Sequence, residues 1–144
     1  MTTNFDLNKK LQNVKCFVGS FPRDKIPRIK SLPAALIMNT DTSTQPGEHW
    51  VAVYINEDGI GEYFDSFGLK PLFREIVEYL DNNCKEWYYN NVTIQGLTSI
   101  TCGQYCVLFV YLRSIGISLC QIINLFTTDY KINDEIIKSL YKEL

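Results

Sequence analysis

The chain has 144 residues, 46% hydrophobic and 21% charged, with two Trp, nine Tyr and eight Phe. That is ordinary globular composition for one domain of residues 1–144, and it excludes the disordered class. The longest unbroken apolar run, Tyr105 to Leu112, is eight residues, too short for a membrane-spanning helix, and MTTNFDLNKK at the start lacks the apolar core of a secretion signal. The expectation is an intracellular protein.

Charge is unevenly placed. Residues 1–30 hold seven Lys/Arg against Asp6 and Asp24, whereas the remainder holds seven bases against fourteen acids. A solvated basic face explains this better than a polyanion site, because the isoelectric point is about 5.4, well below the range of nucleic-acid-binding domains. The five cysteines, at 16, 84, 102, 106 and 120, leave one over in any internal pairing. Reduced thiols are the default without a secretion signal. One histidine and no C-x-x-C pair give no basis for a metal site.

In chain order, residues 5–13 read as a short helix of weak periodicity. The Gly and Pro punctuation of 17–33 reads as an ordered loop. Ala34–Met38 and His49–Ile55 are strands, followed by a turn at Asn56-Glu57-Asp58-Gly59 and a third strand from Ile60 to about Asp65. Pro71 opens a helix ending near Asn82. Glu86–Ile94 has strand composition. Helices follow at about 102–115, 119–126 and 132–143, giving an α+β domain.

The sharpest signal is Thr101-Cys102-Gly103-Gln104. Thr101 and Gln104 are spaced as a capping box, which makes Cys102 the first residue of a helix that is apolar all round and hence buried. A thiol there meets the positive end of the helix dipole, which favours thiolate. Against that stands the general tendency of free cysteine to be buried and inert, the reading for Cys106 and Cys120.

His49, the only histidine, opens the strand HWVAVYI and is the only candidate base for a cysteine enzyme. A three-residue loop, Glu57-Asp58-Gly59, with Gly59 in the left-handed position pairs Asn56 with Ile60. His49 then lies opposite Phe67, with Asp65 its diagonal neighbour on the same face. This register favours a His49–Asp65 contact; a solvated aspartate at a strand end is the competing reading. Gln95-Gly96 precedes Cys102 by seven residues and, with the Cys102 backbone N–H, offers a pair of oxyanion donors. Glutamine is equally a common surface residue. Trp50 either covers the site or fills the core.

The order His-Trp … Asp … Gln … Cys-Gly resembles the adenovirus-type maturation cysteine proteases. The shorter enzymes of Polinton-type transposons, adintoviruses and virophages are the most similar, and the proteases that process SUMO and other ubiquitin-like proteins share the clan. The passages that carry the resemblance are CFVGSFPRDKIP (16–27), MNTDTSTQPGEHWVAVYI (38–55), EYFDSFG (62–68) and IQGLTSITCGQYCVLFVYL (94–112). They extend over about residues 16–126.

The resemblance implies a papain-like, adenain-like fold, a small mixed sheet packed on a buried central helix with the nucleophile at its N-terminus. It implies a catalytic set of His49, Asp65 and Cys102, an oxyanion hole of Gln95 and the Cys102 N–H, and a narrow groove beside Trp50 and Gly103 that accepts glycine. It further implies capsid or other virion precursors as substrates, in the host cytoplasm or nucleus and in the virion. A peptide or DNA activator follows by the same analogy, although the sequence itself requires no cofactor. Cys84 matches a cysteine that joins a peptide cofactor by disulfide in adenovirus enzymes. The alternatives are an isopeptidase acting on host ubiquitin-like modifiers and a non-catalytic binding module on the same fold.

Overall fold

In the computed structural model, which describes residues 2–144, five strands form one sheet in the order β1 (Phe17–Pro22), β2 (Ala34–Asn39), β3 (Trp50–Ile55), β4 (Ile60–Phe64) and β5 (Glu86–Tyr89). The inner pairings β2–β3 and β3–β4 are antiparallel, and the outer pairings β1–β2 and β4–β5 are parallel. Five helices complete the chain: α1 (Asn4–Lys10), α2 (Arg74–Asn83), α3 (Cys102–Ser114), α4 (Leu119–Ile123) and α5 (Tyr130–Glu143).

The period-two alternation of the central strands divides the apolar residues between two cores. Ala35, Ile37, Ala52, Tyr54 and Phe64 face α3 and the helices around it, where Phe64 stacks on Phe109 at 4.8 Å. Leu36, Met38, Val51, Val53, Ile55 and Tyr63 face the other way, toward Ile76 and Leu80 of α2. Strands buried on both faces account for the unbroken apolar runs of β2 and β3. α3 is buried over Cys102, Gly103 and Tyr105 through Val110. Each Val, Leu or Phe so buried contributes roughly 1.5–3 kcal/mol of transfer free energy. Its C-terminus closes as a Schellman motif: the Gly116 N–H donates to Arg113 O at 3.1 Å and the Ile117 N–H to Leu112 O at 2.9 Å.

Several boundaries differ from the sequence reading. Residues 17–22 form a strand rather than a loop; a register shift between Phe17 and Gly19 absorbs the irregularity, and Pro22 ends an edge strand where its missing N–H breaks no ladder. β5 stops at Tyr89, and residues 90–101 run as a loop. α2 begins at Arg74 instead of Pro71, and α4 ends at Ile123. α5 begins two residues early because the Asp129 side chain accepts the N–H groups of Lys131 and Ile132. α1 is fixed by a capping box between Thr3 and Asp6, and it buries Leu7. Part of the basic N-terminal charge is internally bonded: Arg23 pairs with Glu75 at 2.9 Å, and Lys10 Nζ donates to Tyr141 O at 2.9 Å.

Candidate active site

The β3–β4 hairpin places the first two site residues. The Gly59 N–H donates to Asn56 O at 3.0 Å and the Asn56 N–H to Ile60 O at 3.0 Å, with Gly59 left-handed at φ 82°. Ala52 pairs with Phe64 and Val53 with Tyr63, the register expected from a three-residue loop. Beyond the ladder the His49 ring stacks on Phe67, centroids 4.6 Å apart. His49 Nε2 lies 2.8 Å from Asp65 Oδ1.

Asp65 is buried and doubly held. Its Oδ1 also accepts the Phe67 N–H at 2.8 Å. Asn90 grips its backbone, accepting the Asp65 N–H at 2.8 Å and donating to Asp65 O at 2.6 Å. A carboxylate fixed in this way orients the imidazole and favours its charged form. With Nε2 occupied, Nδ1 is the ring nitrogen left for the third residue, Cys102.

Cys102 opens α3 as expected, but the capping box does not form. Thr101 has φ −95° and ψ 10°, unlike the extended Thr3 and Ser118, whose side chains do cap. The Thr101 hydroxyl turns instead to Asp134 Oδ1 at 3.0 Å. Gln104 makes no reciprocal bond, and its Oε1 is buried without a partner among the described residues.

The start of α3 is thereby left open to the thiol. Burial alone would raise the Cys102 pKa, but hydrogen bonding to the His49 side chain and to the backbone N–H groups of Trp50 and Gly103, with the imidazolium charge, outweighs it and holds the thiol below its usual value. For His49, burial opposes the charge, and bonding to Asp65 and Cys102 overcomes it, raising the pKa to about 9. The two shifts describe one coupled thiolate–imidazolium pair.

Gln95 is buried, and its amide is engaged. Its Oε1 accepts the Ser66 hydroxyl, and its Nε2 donates to Ser99 O at 3.0 Å. Ser66 O in turn accepts the N–H groups of Ile94 and Gln95 at 2.9 and 3.1 Å. The arrangement orients the amide nitrogen toward the loop that walls the site. Gln95 itself is buried, and of its segment Leu97, Ser99 and Ile100 line the cleft.

The cleft encloses about 250 Å³ and is lined chiefly by His49, Trp50, Phe67, Leu97, Ile100 and Cys102. Thr2 enters it from the N-terminal arm: the Trp50 indole N–H donates to Thr2 O at 3.1 Å, and Thr2 packs against the Cα of Gly103. Trp50 therefore borders the cleft and packs against the α3-side core at the same time.

The other thiols lie elsewhere. Cys106 is fully buried with its pKa pushed well up by desolvation. Cys84 sits against Gly61 and Trp87 at the opposite end of the hairpin, half-buried, its thiol raised by burial to about 11. All five cysteines are unpaired with one another. Among the described residues no three His, Cys, Asp or Glu are placed to share a metal ion, and no helix is long and apolar enough to cross a membrane. Ser66, Asn90 and Asp134 are the supporting residues that the sequence reading missed.

The mixed sheet on a buried helix, with a thiol at that helix's start facing an imidazole–carboxylate pair just beyond the ends of β3 and β4, defines a papain-like cysteine-protease fold. Comparison with known proteins places the similarity among viral enzymes of the adenain-like kind. Over 105 residues the chain is 27% identical to the cysteine protease of African swine fever virus, covering 65% of this chain and 38% of that protein. Over 96 residues it is 26% identical to the protease of Bovine adenovirus C serotype 10, covering 57% of this chain and 49% of that one. A crystal structure of the African swine fever virus protease superposes with a TM-score of 0.66 at 19% identity, over 95% of this chain and 66% of that chain. The chain spans less than half the length of either protease it aligns with by sequence. No known protein-family profile matches it.

Proposed function

We propose that the chain is a cysteine endopeptidase of the viral maturation type. The observation that carries this reading is the part-buried His49–Asp65 pair at 2.8 Å beside a thiol whose pKa that histidine lowers. The Cys102 thiolate attacks a peptide carbonyl. Its oxyanion is received by the Cys102 N–H and by the second N–H of Gln95 Nε2, the first being committed to Ser99 O. His49 protonates the departing amine and then draws the water that hydrolyses the thioester.

The substrate class proposed is virion precursor polypeptide, cut at sites carrying glycine. The similarity to two viral proteases supports the viral assignment, and the cleft of about 250 Å³ between Trp50 and Phe67 suits residues with small side chains. The test is cleavage of Gly-Gly-X peptides by the wild type and by Cys102→Ser, beside fluorogenic ubiquitin-like substrates. Cleavage of the peptides that disappears with Cys102 supports the reading. Turnover of the ubiquitin-like substrates alone would replace it with an isopeptidase, and turnover of neither would count against a peptidase.

A further inference from the structure

Segment 94–101 joins the sheet to the nucleophile and carries Gln95, the cleft wall and Thr101. Both of its ends are tied to α5. At the near end, the buried Asn133 donates from Nδ2 to Ile94 O at 2.9 Å. At the far end, Asp134 Oδ1 collects three hydroxyls: Ser99 at 3.0 Å, Thr101 at 3.0 Å and Tyr105 at 3.5 Å. Ser99 and Thr101 also lie 2.7 Å from each other. The carboxylate thus draws the two hydroxyls on either side of Ile100 to a single oxygen.

We infer that Asp134 is a positioning residue for the oxyanion site. Its hold on Thr101 has a direct consequence. An extended N-cap threonine would turn its hydroxyl onto the first N–H groups of α3. Here Asp134 holds Thr101 at ψ 10° instead, and that angle fixes the plane of the Thr101–Cys102 peptide and so the aim of the Cys102 N–H. No acceptor among the described residues takes the Cys102 N–H. The hold on Ser99 fixes the carbonyl that accepts from Gln95 Nε2, so one carboxylate sets the aim of both oxyanion donors. Asp134 reaches no reacting atom itself.

The inference rests on the proposed acyl-transfer function, and its test is independent of the natural substrate. p-Nitrophenyl acetate acylates an activated thiolate: the C–S bond forms, the C–O bond breaks, and p-nitrophenolate leaves. The thioester at Cys102 is followed by peptide mass against a Cys102→Ser blank, with iodoacetamide labelling of the same residue in parallel. Asp134→Ala is expected to slow acylation on the order of 10- to 100-fold, while the pH profile of iodoacetamide labelling, which needs thiolate but no oxyanion site, stays in place. Asp134→Asn keeps an acceptor oxygen and should recover most of the rate.

Thr101→Val should show part of the loss at an unchanged melting temperature, and adding it to Asp134→Ala should cost nothing more. Acylation at the wild-type rate in Asp134→Ala would overturn the inference. So would additive losses in the double variant, or a fall in labelling and acylation together with the melting temperature. If Asp134→Ala does not fold, an unchanged acylation rate in Thr101→Val overturns it alone. Rapid labelling of wild-type Cys102 without any acylation would reject the acyl-transfer reading first, and this inference with it.

Discussion

His49 and Phe67 face each other across the open end of the β3–β4 hairpin with their rings stacked at 4.6 Å, and the same pairing brings Asp65 Oδ1 to 2.8 Å from His49 Nε2. The imidazole is held by a ring on one side and a carboxylate at one edge. Only its other nitrogen is left for Cys102.

Asp65→Asn should keep the shape of this corner while removing the charge that favours imidazolium. Turnover is expected to fall about 10²- to 10⁴-fold, and the pH at which Cys102 becomes reactive should move upward. Steady-state kinetics with alkylation across pH reads both. Equal turnover in the variant would remove Asp65 from the account.

Gln95→Ala removes a side-chain donor without touching the thiol. A loss on the order of 10²-fold in turnover is expected, with Cys102 alkylation unaffected. Ser66→Ala should give a smaller loss of the same kind, because the Ser66 hydroxyl fixes which end of the Gln95 amide faces the cleft loop. A turnover loss in Ser66→Ala exceeding that in Gln95→Ala would contradict this order.

The pH dependence has two limbs. Cys102 is depressed below its usual value, so thiolate persists below the ordinary thiol range and is lost as the pH falls through the lowered value. His49 is raised to about 9, so the imidazolium persists through neutral pH and is lost as the pH rises past about 9. Activity should therefore be bell-shaped, its alkaline limb near pH 9. A profile still rising above pH 10 would show that the imidazolium is not required.

Gly68 closes the turn after Phe67 with φ 73°, and a Cβ there would lie 2.6 Å from the Val92 carbonyl carbon. Gly68→Ala combines strain with a backbone clash. It should lower stability by more than about 1 kcal/mol and weaken turnover by displacing Phe67. Phe109→Ala, which removes the ring stacked on Phe64, should cost about 3–5 kcal/mol in denaturant unfolding. A fully stable Gly68→Ala would show that the turn yields more readily than its geometry implies.

The site was legible wherever local chemistry sets geometry. Gly59 defines the hairpin loop, the loop defines the register, and the register places His49 opposite Phe67 and near Asp65. The apolar sequence behind Cys102 likewise identified a buried helix; Cys102 does open it, although the capping box that placed it there does not form. What could not be read depends on partners distant in sequence. Thr101 and Gln104 have the spacing of a capping box, yet Asp134, 33 residues on, takes the hydroxyl. Ser66 and Asn90 are unremarkable polar residues until the β4–β5 crossover brings loops 65–68 and 90–95 together. β1 was hidden because Gly19 and Pro22 signal a loop, and only pairing with β2 makes that stretch a strand.

The central claim is the activated Cys102–His49 pair, and the most direct measurement is the rate of iodoacetamide labelling at each cysteine from pH 4 to 9, in the native protein and in His49→Ala. The account predicts fast labelling of Cys102 below neutral pH in the native protein. In His49→Ala, where burial is no longer offset by the imidazolium, that reactivity should move to strongly alkaline pH. Cys84 and Cys106, raised by burial, should stay slow throughout. Cys102 labelling no faster than those thiols at pH 6, or unchanged by loss of His49, would contradict the account.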